Sequence, residues 1–253
     1  MSIVNKQIAV FDLDGTITES KTQMDSEMAD LMIRLLAKRK VAIISGGAFI
    51  QFERQMPALK GSEDLLKNLF LFPTTGTRFF RFDGDWKEVY ADEMTIEERQ
   101  KIKNAFEQAY KDIDYHHPTE LFGEVVEDRG TQVTFSALGQ QAPLELKKQW
   151  RETQDRRPEL VMALEKYLSD FEVKMPGVTS IDVTRKGIDK AYGIKKIEEL
   201  LGIPVSEMIF VGDALYEGGN DYAVKRTGVE TVEVANPSET KVLLRKWLDE
   251  IEK

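Results

Sequence analysis

No cysteine occurs among the 253 residues, and the only two histidines, His116 and His117, are adjacent. The first absence excludes disulfides, thiolate nucleophiles and sulfur-ligated metals, and the second leaves almost no imidazole chemistry. Any bound metal must then be held by oxygen, which suits hard cations such as Mg²⁺ or Mn²⁺. No apolar run approaches the roughly 18 residues that span a bilayer. Ile8-Ala9-Val10-Phe11 runs straight into Asp12, too short for the apolar region of a secretory signal. A soluble cytoplasmic protein with no membrane partner is expected. Low-complexity tracts are also missing and the eight prolines are scattered, so most of the chain should fold.

Positive charge is in deficit: 35 basic side chains stand against 44 acidic ones, for a net charge of -9. Nucleic-acid binding is driven by Lys and Arg neutralising phosphates, so a broad nucleic-acid surface is not expected. One small anionic substrate remains compatible with this balance. With so little Cys and His, the chemistry must lie in carboxylates.

The chain is long enough for one large domain or two small ones. Short buried-type strands are predicted at 7–11, 41–44 and 69–72, with an amphipathic helix at 26–38. The same rhythm returns late, with helices at 189–201, 222–226 and 239–251 and strands at 208–211 and 230–234. Strands separated by helices imply an α/β fold, a Rossmann-like doubly wound parallel sheet. The middle breaks the pattern. Hairpin signals surround Asp83-Gly84-Asp85 and Arg129-Gly130, helices are predicted at 95–111 and 158–168, and strands at 171–174 and 180–183. The core is therefore placed at 1–91 and 188–253, with an inserted α+β module at 92–187.

Asp12-Leu13-Asp14-Gly15-Thr16 follows a strand expected to be central, and sites in open parallel sheets form beyond the carboxyl ends of strands. Two carboxylates in one short loop repel unless a cation compensates. With Mg²⁺ there, one aspartate can attack phosphorus while the other handles the leaving-group proton. The alternative is an acidic turn with Asp14 as a helix cap. Ser45-Gly46-Gly47 ends the second strand signal and opens a helix, an arrangement suited to phosphate and equally to an ordinary cap. Gly212-Asp213 ends a further strand, and Gly218-Gly219-Asn220-Asp221 follows. Asn220 and Asp221 can bind metal waters or fix Lys and Ser by hydrogen bonds. Lys190, at the start of the helix after the module, can stabilise moving negative charge, and Lys186 is a weaker competitor.

Together these segments resemble the haloacid dehalogenase-like superfamily of aspartate-nucleophile phosphotransferases. The module's position resembles the large cap of the subgroup that includes sugar-phosphate phosphatases and eukaryotic-type phosphomannomutases. Glu127-Asp128-Arg129-Gly130, Ser180-Ile181-Asp182-Val183 and the 212–221 segment look most like the mutases. The resemblance implies Asp12 as nucleophile, Asp14 as general acid/base, and Ser45 and Lys190 as phosphoryl binders. It implies Asp12, Asp14 (through its backbone carbonyl) and Asp213 as Mg²⁺ ligands, supported by Gly46, Asn220 and Asp221. Lys21, Arg129, Lys147, Ser180 and Asp182 match substrate-binding positions, and pairing of two copies through the cap is also implied.

Lys21, Gln140 and Lys147 stand where the mutases carry arginine, whose fork grips phosphate better than lysine or glutamine. A cap-covered phosphatase acting on a sugar phosphate or similar small phosphomonoester is therefore the first expectation. A phosphohexomutase is the second, and a non-catalytic phosphosugar-binding module the third. Among the remaining features, His116-His117 reads as a loop rather than a metal site. The Phe79, Phe80, Phe82, Trp86 and Tyr90 cluster reads as packing. Lys147-Lys148 with Arg156-Arg157 reads as a solvated helix face, with Lys147 alternatively turned to substrate.

Overall fold

The computed structural model describes residues 2–59 and 61–252. In chain order it has β1 (Ile8–Asp12), α1 (Ser26–Leu36), β2 (Lys40–Ile44), α2 (Phe49–Gln55), α3 (Glu63–Leu66), β3 (Leu69–Phe72), β4 (Arg78–Phe82) and β5 (Trp86–Ala91). There follow α4 (Ile96–Asp112), β6 (Val126–Asp128), β7 (Val133–Ser136), α5 (Leu144–Gln154), α6 (Arg157–Glu165), β8 (Phe171–Lys174) and β9 (Ser180–Arg185). The chain closes with α7 (Lys190–Leu201), β10 (Met208–Gly212), β11 (Glu230–Glu233) and α8 (Pro237–Ile251). The described residues form two compact units, one running up to Ala91 and resuming at Asp189, the other Asp92–Ile188.

The first unit is an α/β fold around a seven-stranded sheet in the order β11-β10-β1-β2-β3-β4-β5. Strands β11 to β3 are parallel, and the β4–β5 hairpin extends the sheet antiparallel. Period-two alternation sorts the side chains. Ala9, Phe11, Val41, Ile43, Leu69 and Leu71 pack on one face with α1 and α8, while Ile8, Val10, Ala42, Ile44, Phe70 and Phe72 pack on the other with α7. Burial on both faces explains why these strands read as unbroken apolar runs. Phe79 stacks on Phe72 and Phe80 on Phe49, with ring centroids 4.7 and 4.1 Å apart, so the aromatic cluster packs as its alternation indicates.

Helix boundaries have local causes. Asp25 caps α1 by accepting the Met28 N–H at 2.9 Å, and the Asp189 carboxylate caps α7 by accepting the Ala191 and Tyr192 N–H groups. The segment expected to be helical at 222–226 forms instead a 3₁₀ helix, Tyr222–Thr227, closed by Gly228 at φ 79°.

The second unit is an antiparallel sheet in the order β6-β7-β9-β8, with α4, α5 and α6. Val133, Phe135, Ile181 and Val183 face an apolar core with Phe106, Leu160 and Leu164. Mostly polar α5 buries only Lys147 and Trp150 in its sequence, so apolar spacing does not reveal it. Lys147 and Arg157 are each only 4% exposed, which corrects the expectation of a solvated face. Arg157 is held by Asp155 at 2.7 Å and by the carbonyls of Gly177 and Ser180. Burial of these stems is possible because their heads are paired.

Trp247 of α8 is fully buried, 6.2 Å from the Phe11 ring. Trp247→Ala is expected to cost about 3–5 kcal/mol in chemical unfolding of the first unit, and a cost below about 1 kcal/mol would contradict the packing described.

Candidate active site

Strand register brings the site together. Asp12 is the last residue of β1, and in the β1–β2 pair it lies opposite Ile44, so Ser45 begins the loop beside it. In the β1–β10 pair Phe11 lies opposite Val211, which carries Asp213 to the same end of the sheet. Lys190 enters from the first residue of α7, placed by the Asp189 cap.

The Lys190 ammonium, 2% exposed, lies 2.7 Å from Asp12 Oδ1 and also pairs with Asp221 Oδ1. The other Asp221 oxygen accepts the Ala214 N–H at 3.0 Å. Ligand oxygens of Asp12, Asp213 and Asp221 all lie within 4.8 Å of one another. Burial pushes the Asp12 carboxyl well above its ordinary range, against the pull of Lys190. Burial pulls Lys190 down, but Asp12 and Asp221 outweigh it and hold the ammonium protonated well above its usual range. Asp213 is raised by burial first and by the charge of Asp221 second. Three carboxylates against one ammonium leave an excess of negative charge in a buried place, and a hard divalent cation with oxygen ligands is its natural complement. With both Asp221 oxygens engaged, Asp12 and Asp213 are the carboxylates with capacity to hold such a cation.

The loop after β1 is shaped around this cluster. Gly15 has φ 86°, and a Cβ there would run into the Asp213 carboxylate. The Thr16 hydroxyl donates to Asp213 Oδ1 at 3.2 Å. Asp14 is half-buried, and its Oδ1 accepts the Lys21 backbone N–H at 2.5 Å and the Gln55 amide at 2.9 Å. This disposition differs from an Asp14 helix cap, since α1 is capped by Asp25. Gln55 escapes sequence reading because nothing in a short helix marks one buried amide as facing a carboxylate. Ser45 is buried, and its Oγ accepts the Gly47 N–H at 3.1 Å. Gly46 is half-buried beside it. Lys21 is exposed and contributes its backbone to Asp14, while Asn220 is exposed on the loop whose next residue, Asp221, is fully buried.

The remaining expected residues lie in the second unit. Ser180 and Asp182 sit on the sheet face opposite the apolar one, across from Ser136 and Thr134. Asp182 accepts the Thr134 hydroxyl at 2.8 Å, Thr134 accepts the Gln132 amide at 2.8 Å, and the Ser136 and Ser180 hydroxyls lie 3.3 Å apart. The Arg129 guanidinium is paired with Glu127 at 2.6 Å. The Lys147 ammonium donates to the Gln140 carbonyl at 3.0 Å. His116 and His117 lie in the loop after α4, where His117 meets the Tyr110 ring edge-on at 4.8 Å.

A doubly wound sheet with an aspartate pair at the end of its first strand, a lysine bridging Asp12 and Asp221, and Asp213 just beyond the neighbouring strand fits a phosphoryl-transferring enzyme of the haloacid dehalogenase-like class. A family model described as eukaryotic phosphomannomutase matches residues 28–250, and the chain belongs to that family. It is 26% identical over 243 residues to the phosphomannomutase of Encephalitozoon cuniculi, covering 93% of this chain and 91% of that one. It is 26% identical over 257 residues to phosphomannomutase 1 of Dictyostelium discoideum, covering 96% and 97%. Among solved structures, the IMP-nucleotidase of Plasmodium falciparum superposes with a TM-score of 0.70 at 18% identity, over 98% of this chain and 69% of that one, a likeness of fold. Among the described residues no helix is long and apolar enough to cross a membrane.

Because burial and Asp221 raise Asp213, its ionisation costs the folded state stability. The native state binds that proton more tightly than the unfolded chain, so the penalty is absent below about pH 4 and grows as pH rises through the raised native value. In chelator, Asp213→Asn is expected to gain melting temperature relative to the parent as pH rises from about 4 toward neutrality. Mg²⁺ should raise the melting temperature of the parent more than that of the variant. A pH-independent difference together with no response to Mg²⁺ would contradict the electrostatics described.

Proposed function

We propose that this enzyme transfers a phosphoryl group between Asp12 and a hexose phosphate, interconverting the 1- and 6-phosphates as a phosphomannomutase-like phosphohexomutase. The observation that carries the chemistry is the buried Lys190 ammonium shared between Asp12 and Asp221, with Asp213 beside them. Nearly end-to-end likeness to proteins named phosphomannomutases favours the mutase over the hydrolase that residue substitutions alone predict.

In this reading the Asp12 carboxylate attacks phosphorus and forms an acyl phosphate, and the sugar oxygen leaves. Asp14 gives that oxygen its proton and later takes one from the incoming hydroxyl, its carboxyl oriented by Gln55 and the Lys21 N–H. Lys190 and Ser45 meet the phosphoryl oxygens, so charge leaving Asp12 stays opposite a fixed cation. Asp12, Asp213 and the Asp14 carbonyl would hold Mg²⁺, which when bound screens the negative phosphate from the attacking carboxylate. Gly46, Asn220 and Asp221 support that set. The inserted unit confers specificity: Ser180 and Asp182 provide hydroxyl and carboxylate partners for sugar hydroxyls, with Arg129 and Lys147 providing cationic character and Lys21 a further phosphate contact.

A second reading, hydrolysis of the aspartyl phosphate by water, is favoured by one observation. At the positions where the resemblance places two arginines, Lys147 is buried with its ammonium on the backbone of Gln140, an arrangement with no bidentate fork for a distal phosphate.

Mannose 1-phosphate incubated with Mg²⁺ and a catalytic amount of hexose bisphosphate separates the two. Hexose 6-phosphate is the expected product, and free phosphate as the sole product would replace the mutase with a hydrolase. Asp12→Asn should lower either activity by about 10³-fold or more with an unchanged circular dichroism spectrum. Substantial turnover in that variant would refute the nucleophile.

A further inference from the structure

We propose that the turn after β3, residues 73–77, is a positioning device that fixes the Ser45 loop and the Lys190 helix relative to each other at the Asp12 end of the sheet. This role presupposes the phosphoryl-transfer reading of the site. Thr74 and Thr75 are successive left-handed residues, with φ of 48° and 62°. That conformation is costly for a β-branched side chain and persists only where the surroundings hold it. Here it aims two consecutive amides at one loop: the Thr74 N–H donates to the Gly47 carbonyl at 2.9 Å, and the Thr75 N–H to the Ser45 carbonyl at 2.8 Å. The buried Thr77 hydroxyl braces the turn by donating to the Thr74 carbonyl at 2.8 Å.

The other side of the turn meets α7. Gly76 has φ 89°, and a Cβ there would lie 2.7 Å from the Gly193 Cα. A Cβ on Gly193 would in turn lie 3.0 Å from Ile44, the residue before Ser45, and 3.3 Å from the Thr75 carbonyl. Gly193 is one turn along α7 from Lys190, and glycine in a helix works against helix propensity. Backbone-to-backbone packing without side chains therefore sets how deeply α7 seats, and with it the 2.7 Å approach of Lys190 to Asp12. One strained turn thus ties the Ser45 loop to the Lys190 helix, although neither Thr74, Thr75, Gly76 nor Gly193 needs to touch substrate.

The test compares Thr75→Gly, Thr75→Asn and Gly193→Ala with the parent in the full chain with Mg²⁺. Turnover, KM, melting temperature and calorimetric affinity for orthophosphate are measured for each. Thr75→Gly removes the left-handed penalty, so its melting temperature should hold or rise while kcat falls about tenfold or more with little change in KM. Thr75→Asn, whose side chain tolerates the left-handed region, should return kcat to within about threefold of the parent. Gly193→Ala should keep its helical spectrum yet lose about tenfold or more in kcat and weaken orthophosphate binding. Thr75→Gly and Gly193→Ala variants that keep parental kcat and orthophosphate affinity within about twofold would overturn the positioning role. An inactive parent that still binds orthophosphate would remove the phosphoryl-transfer reading, and the affinities would then decide the positioning role alone. A parent that neither turns over nor binds orthophosphate would overturn both.

Discussion

The arrangement depends on one buried ammonium. Lys190 lies between Asp12 and Asp221 with almost no exposure, and a buried charge is tolerated only when it is paired and hydrogen-bonded. This requirement reaches back into the fold. It needs β10 beside β1, so that the loop after β10 can return Asp221 close to Asp12, and it needs α7 seated close enough for its first residue to reach the sheet end. It also explains why the loop after β1 turns through glycine at residue 15, since any side chain there would displace the Asp213 carboxylate. Three carboxylates and one ammonium still leave negative charge uncompensated, an imbalance that a divalent cation can offset.

The second unit solves a different problem with the same alternation of side chains. One face of its sheet supplies Val133, Phe135, Ile181 and Val183 to an apolar core, and the opposite face carries Thr134, Ser136, Ser180 and Asp182 in register. Those polar groups are buried and satisfy one another in short chains, as Gln132 to Thr134 to Asp182 illustrates. Buried Arg129 and Arg157 are likewise held by neighbouring carboxylates.

Family membership and residue chemistry bear on different parts of the function. In the proposed mechanism the core cluster would serve transfer onto water and transfer onto a sugar hydroxyl alike, because both would begin with attack by Asp12. What separates them is the grip on the far end of the substrate, where arginine and lysine differ in geometry rather than charge. Likeness to the phosphomannomutases extends over almost the whole chain, while Gln140 and Lys147 mark the point at which this sequence departs from the arginines that the resemblance leads one to expect.

Pattern along the chain was enough to place the alternating strands and helices of the parallel sheet, because strands buried on both faces must be apolar throughout, and composition pointed to carboxylate chemistry, because Cys is absent and His occurs only as one adjacent pair. Asp12, Ser45, Lys190 and Asp213 were legible because each ends, follows or opens a strongly patterned strand or helix. Tertiary structure alone decided which groups orient them. Gln55 reaches Asp14 from α2, Thr16 reaches Asp213 across 197 positions of chain, and left-handed Thr74 and Thr75 donate to carbonyls of a neighbouring loop. It also reversed the reading of Lys147 and Arg157, whose charges look solvated along the chain and are buried in the fold. Local patterns encode which face of an element is apolar. They do not encode the partner that makes a buried polar group tolerable, since that partner comes from a distant segment and exists only once the strands have paired.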